Sequence, residues 1–420
     1  MTQKANNMIS YFKDSKNWNI PDYLFLLLCF ILFFYNKLAP VFLVLFIVSS
    51  LFYKDRLQFS WKKIISLKNP LLWMSIFFIL HIVGLFWTEN TSFAQMDIGM
   101  KASFILFPLL TIFIKTKVKF ERFIDVFGFG LVLTVLFLIG NAIFKSIYYE
   151  EDNHWAYFFE SEFSAFMHRS YFATYAALGA IFSMIRGLAA TTKKSRYFFY
   201  AFVLSVGTFF TISKAGIIIL ALSLVILTIH HLAKKGKVKL MVFTAVLISI
   251  FLFISLQFDN RITSRFKMML TANKEVKLYG NPTSESNEAR LIMWNTSWNI
   301  IKENPILGVG TGDVKDVLIQ RNTEYGNTDV ATKKLNSHNQ FLNSWVQIGI
   351  LGFLAIVLMF STLFYQAYKR KNTYLFYFGL VIFISLLVES FFETQAGIIP
   401  FCFMTYALLT LDEKKQKLDS

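Results

Sequence analysis

Apolar runs close to the ~20 residues that a helix needs to cross a hydrocarbon core follow one another along most of this chain, separated by short polar breaks. They predict helices near 22–36, 38–53, 70–88, 95–114, 121–145, 166–186, 196–212, 215–231, 238–257, 341–367, 373–389 and 396–411. The fold class they imply is all-α, a polytopic membrane helix bundle of about twelve transmembrane helices. The first two runs are short for a core ~30 Å thick and fit a hairpin that does not fully cross. One stretch breaks the pattern: 258–340 is the only long polar segment. It divides the chain into 1–257, carrying the first nine spans, a loop over 258–340 with short helices of its own, and 341–420, carrying the last three.

Within the loop, SNEARLIMWNTSWNIIKENPILGVGTGD reads as an amphipathic helix with Arg290 in its first turn and Trp294 and Trp298 following at i+4 and i+8. Asn304-Pro305 stops it, because Asn before Pro is pushed out of the helical region and Pro has no N–H to give. The stripe of Trp294, Trp298 and Ile301 fits either the bilayer interface or packing against neighbouring loops. Gly308, Gly310 and Gly312 read as a flexible turn and not a P-loop, since the Gly-Lys-Ser/Thr that would follow is missing. At the end of the loop, Ser337 and Gln340 fit a capping box, with Asn336 as an alternative cap. Either cap puts His338 in the first turn of the next helix, where free N–H groups favour an anion and a neutral imidazole.

Composition agrees with the pattern: 55% hydrophobic and 18% aromatic, with a mean hydropathy of +0.50. The formal charge of +16 changes the picture only through its distribution. Lys and Arg sit in loops at alternate ends of the spans, while 88–95 and 389–396 hold none and 146–164 is acidic. That is the positive-inside pattern and not a nucleic-acid patch; it predicts cytoplasmic termini and an external 258–340 loop, because long loops cross regardless of charge. No cleavable signal peptide is read at the N-terminus, and Cys29 and Cys402 lie in apolar runs that suggest neither disulfide nor metal site. No metal-ligand spacing is found; His230 and His231 fall at the cytoplasmic end of their span.

Sorted by side, the outer face collects His168, Arg169, Lys214, Arg261, Arg265, Arg290 and His338, with Glu389 and Glu393 flanking the last outer turn. A cation near hydrocarbon is expensive and calls for a partner or a task. Asp97 and Lys101, four apart on one helix, read as a structural ion pair; the roles of Glu389 and Glu393 stay open between acceptor binding and pairing with the arginines.

Arg290-x3-Trp294, Asn304-Pro305-x2-Gly308-x-Gly310, His338-Asn339 and Gly349-x2-Gly352, in that order in a late outer loop, resemble the O-antigen ligase and polymerase family of bacterial membrane proteins. The resemblance implies a multi-pass protein of the bacterial inner membrane, surrounded by membrane lipids, with its active site facing the periplasm. It implies metal-independent glycosyl transfer with no cofactor. The donor would be an undecaprenyl-pyrophosphate-linked glycan and the acceptor lipid A-core for a ligase, or another carrier-linked glycan for a polymerase. His338 and Arg290 would then be catalytic, with Arg265, Lys214, Arg169 and His168 holding the pyrophosphate. A departure lies at Ser213-Lys214, where the family usually has Ser-Arg: lysine keeps the charge but loses the planar fork. A flippase or transporter is the weakest alternative, because no repeated halves or paired interrupted helices surround a midplane site.

Overall fold

The computed structural model describes residues 18–149, 154–236, 277–282 and 286–418. Among them regular structure is helical, apart from one isolated bridge between Leu57 and Ile114. The principal helices are α1 Ile20–Phe34, α2 Ala39–Leu51, α3 Pro70–Val83, α4 Thr91–Lys101, α5 Ser103–Phe113, α6 Phe120–Tyr148, α7 Arg169–Ala189 and α8 Lys194–Phe210. They continue with α9 Lys214–Lys234, α10 Ser286–Glu303, α11 Val314–Glu324, α12 Gln340–Lys369, α13 Thr373–Val388 and α14 Gln395–Leu418. Asparagines punctuate the chain: the Asn69, Asn90 and Asn372 side chains accept the N–H of Leu71, Phe93 and Leu375, capping α3, α4 and α13.

The chain is a multi-pass membrane protein. Six of its described helices are long and apolar enough to cross a bilayer, and Ile20–Phe34, Asn36–Leu51, Thr373–Val388 and Gln395–Leu411 are shorter apolar helices. Of about twelve expected spans, these ten are found; the run near 238–257 lies outside the described residues, and the run near 196–212 forms α8, which is not among the ten. The expected hairpin forms as α1 and α2 packed against each other.

The bundle core is built on rings. Phe25, Phe77, Phe104, Phe123, Tyr175 and Tyr406 are essentially inaccessible and meet neighbouring rings edge-on or tilted, as in Phe104 on Phe392 at 5.0 Å and Phe33 on Tyr175 at 4.9 Å. Lipid is as apolar as these side chains, so close packing holds such a core together more than transfer from water does. One feature of the far end escaped the sequence: Arg56 and Asp22, both fully buried, form an ion pair. Asp22 also accepts from Thr116 Oγ1 and the Lys117 N–H.

The described residues of the polar segment, 277–282 and 286–340, fold as a cap over the other end of the bundle. Ala289, Ile292, Met293, Ile300 and Ile301 of α10 pack with Val314 and Leu318 of α11, Val330 and Val346 in a second, smaller core. Of the stripe, Ile301 is buried in the cap, in line with the packing reading, while Trp298 stays substantially exposed. Asn304-Pro305 does end α10, at Glu303.

The glycine turn is also corrected, from flexible to tightly packed. Ile348 and Gly349 break the helical path of α12, which leaves the Val346 and Gln347 carbonyls without their intrahelical partners. Val309 and Gly310 supply the missing N–H groups, at 2.8 and 3.0 Å, and the Ile350 N–H is taken by the Pro305 carbonyl at 3.1 Å. Gly308 and Gly349 both have φ near +70°. A Cβ on Gly308 would lie 2.6 Å from the Gly349 nitrogen, so the two backbones pass too closely for a side chain at either position.

Candidate active site

The cap and the bundle meet around one carboxylate. Glu389 follows the last residue of α13 and is nearly buried. Its Oε1 accepts from Arg290 Nη2 at 3.1 Å, and its Oε2 lies 3.2 Å from His338 Nδ1. Arg290 also donates from Nε to the Val388 carbonyl at 3.2 Å. Burial opposes ionisation of Glu389, but the hydrogen bond and charge of His338, then the charge of Arg290, prevail and hold its pKa at about 2. An ionised carboxylate can only accept, so His338 Nδ1 carries the proton in this pairing; the pairing thereby selects the neutral tautomer whose lone pair is on Nε2.

His338 is held from several sides. Its backbone is left-handed, φ 45°, a conformation that costs a non-glycine residue roughly 1–2 kcal/mol. The Asn336 side chain accepts its N–H at 3.0 Å, and Trp294 Nε1 lies 3.5 Å from its carbonyl. The expected capping box is corrected: Ser337 Oγ bonds Ser297 Oγ at 2.9 Å, and Asn339 caps α12 by accepting the Leu342 N–H. His338 therefore stands just before the helix and not in its first turn. Arg290, the fifth residue of α10, lies one turn in from the helix start instead of within the first turn.

Beside this clamp opens a cleft of about 170 Å³, lined by Arg169, Ser213, Lys214, Asn287, Arg290 and Val388 among others. Helix starts supply its cations: Arg169 is the first residue of α7 and Lys214 the first of α9. The Ser213 side chain caps α9 by accepting the Gly216 N–H. Lys214 Nζ donates to Asn287 Oδ1 at 3.0 Å, and Arg169 Nη1 to Glu160 Oε2 at 3.0 Å. His168 caps the same region; burial lowers its pKa, against the pull of the Glu389 charge, so it favours the neutral form. His338, Arg290, Lys214, Arg169 and His168 thus gather at one end of the bundle, while Arg261 and Arg265 lie outside the described residues.

Glu389 is what sequence reasoning left undecided; its two partners sit 51 and 99 residues away. A carboxylate at the end of an apolar run was the available sign. Glu393, one turn on, goes elsewhere: it accepts from Lys101 at 3.2 Å and from Gln340 at 3.1 Å. Lys101 pairs with Asp97 as expected. The pair then extends through Gln347, which donates to Asp97 at 2.9 Å and to the Thr311 carbonyl, tying α4, α12 and the glycine turn together.

Two comparisons bear on this arrangement. A relative from Haemophilus influenzae, described as an uncharacterized protein, is 34% identical over 97 residues, which is 22% of this chain and 24% of that protein. The match thus spans about a quarter of that relative. A family model described as O-antigen ligase matches residues 199–357, the stretch that contains Lys214, Arg290 and His338. The resemblance carried by the arginine, the Asn-Pro stop, the glycines and the histidine is therefore upheld over the stretch that holds them: residues 199–357 match the O-antigen ligase family.

Proposed function

We propose that this protein is a glycosyltransferase that moves a glycan from undecaprenyl pyrophosphate to a sugar hydroxyl of lipid A-core, at the periplasmic face of the bacterial inner membrane. The observation that carries the reading is the Arg290–Glu389–His338 clamp bordering a cleft that also holds Lys214 and Arg169. The acceptor oxygen attacks the anomeric carbon, the bond to the pyrophosphate oxygen breaks, and that oxygen leaves with the electron pair. Pyrophosphate is already a competent leaving group, so the protein's task there is to neutralise growing negative charge with Arg290, Lys214, Arg169 and Arg265, while the neutral His168 can donate a hydrogen bond to the same group. His338 Nε2 takes the proton of the acceptor hydroxyl, and the imidazolium that results is stabilised by Glu389 through Nδ1. In this reading 258–340 is the external catalytic loop between two membrane blocks.

Two experiments test it. A topology reporter fused after Gly280 or within 322–336 is expected outside the cytoplasm, and one after Arg56 or Lys235 inside; a cytoplasmic signal from the cap would put every proposed residue on the wrong face. In a deletion strain, a ligase leaves finished polymer on the undecaprenyl carrier and lipid A-core bare. A polymerase, which the family match also supports, leaves single repeats still transferred to the acceptor. Carrier-linked glycan trapped on the cytoplasmic side would instead indicate a flippase, and long polymer normally attached to lipid A would exclude the ligase.

A further inference from the structure

We propose that a second cleft, which reaches the His338 segment at Asn336, binds the saccharide portion of the acceptor, an oligosaccharide carrying anionic substituents. The proposal rests on the transfer reading above. The cleft, of about 250 Å³, opens between α4, α11 and α12, and its wall includes Phe93, Lys315, Lys334, Asn336, Asn343 and Glu393. Asn343 is 1% exposed, and its Nδ2 has no hydrogen-bond partner among the described residues. A buried amide donor left unsatisfied in this way costs about 1–3 kcal/mol, which a ligand hydroxyl or anionic oxygen would relieve.

The rest of the wall narrows the ligand. Lys315 and Lys334 are exposed at the cleft, and Lys315 Nζ stands 5.9 Å from the Phe93 ring centroid. The sole carboxylate in the wall, Glu393, is already engaged by Lys101 and Gln340. Two exposed cations therefore face the occupant with no free carboxylate to cancel them, which favours an anionic group. A flat ring beside a cation and an amide donor suits a sugar, whose apolar face stacks while its hydroxyls hydrogen-bond. Met96 and Met100, four apart on α4, extend the wall along the bundle as an apolar flank for a lipid-anchored molecule. Asn336 links this cleft to the clamp, since it lines the wall and also accepts the His338 N–H. An acceptor seated here is held next to the segment that carries the histidine.

The test uses the full-length protein in detergent, with two probes: deacylated, phosphorylated core oligosaccharide, and inorganic pyrophosphate. Asn343→Leu, which removes the orphan amide at similar volume, and the surface pair Lys315→Glu with Lys334→Glu are each expected to weaken oligosaccharide binding by about tenfold or more. Pyrophosphate binding stays unchanged in both, and Arg290→Ala shows the reverse. The lysine variant guards against misfolding, because both positions lie at the surface. Equal oligosaccharide binding by wild type and the lysine variant, parallel loss of pyrophosphate, or no oligosaccharide binding by wild type overturns the proposal. Oligosaccharide binding that tracks the cleft residues in a protein with no transfer activity would instead sink the transferase reading and leave the site standing.

Discussion

Arg290→Ala and His338→Ala each reduce glycan transfer by about 10²-fold or more, while the variants still insert and accumulate like wild type. Neither side chain fills a hydrophobic core; both sit partly exposed at the rim of the clamp. The loss therefore reflects chemistry and not a cavity. For Arg290, lysine is expected to rescue poorly. The guanidinium makes two directed bonds, Nε to the Val388 carbonyl and Nη2 to Glu389, and still borders the cleft; an ammonium cannot reproduce that fork. The measurement is transfer from purified lipid-linked donor to lipid A-core, normalised to protein in the membrane. Full activity of either alanine variant removes that residue from the mechanism. Lys214→Arg, which restores the residue usual in the family, should be tolerated where Lys214→Ala is not.

Glu389→Gln is expected to cost transfer on the order of 10²- to 10⁴-fold, although the residue touches neither substrate in the proposed scheme. The amide keeps the shape but no longer fixes the proton on His338 Nδ1 or compensates the imidazolium, and it leaves Arg290 without its counter-charge. A stability signature separates this from a general loss of structure. The folded-state pKa of Glu389 is about 2, below its ordinary 4.5, so its contribution is fully present above about 4.5 and is lost as pH falls through about 2. A shift of that size corresponds to roughly 3 kcal/mol. The difference in Tm between wild type and Glu389→Gln should hence be constant from neutral pH to about 5 and shrink only below that. A difference that already vanishes at pH 6 would mean that Glu389 is not held ionised by its neighbours.

The membrane helices were legible because span length and hydropathy are local quantities that a bilayer enforces. The polar cap was legible as a separate unit for the same reason, and Pro305 marked the end of α10 without help from tertiary structure. What failed was choice among local equals. Asn336, Ser337 and Asn339 can each cap a helix, and the approach of Ser297, which takes the Ser337 hydroxyl, is a tertiary contact that leaves the cap to Asn339. Contacts between distant residues were illegible in principle: Glu389 with Arg290 and His338, Arg56 with Asp22, Val309 with Val346. In each, one partner alone looks like an ordinary polar residue at a helix end.

The pairing of 305–310 with the broken turn of α12 also carries a constraint on how the protein is made. A ribosome delivers the cap before it delivers Val346 to Ile350, so the N–H groups that those carbonyls require already exist when the helix arrives. A spanning segment with exposed carbonyls would be penalised by several kcal/mol in lipid. On the proposed topology, release of this helix from the insertion machinery and completion of the cap form a single step of biogenesis, and a lesion at Gly308 should be read out as an insertion defect before it is read out as lost catalysis.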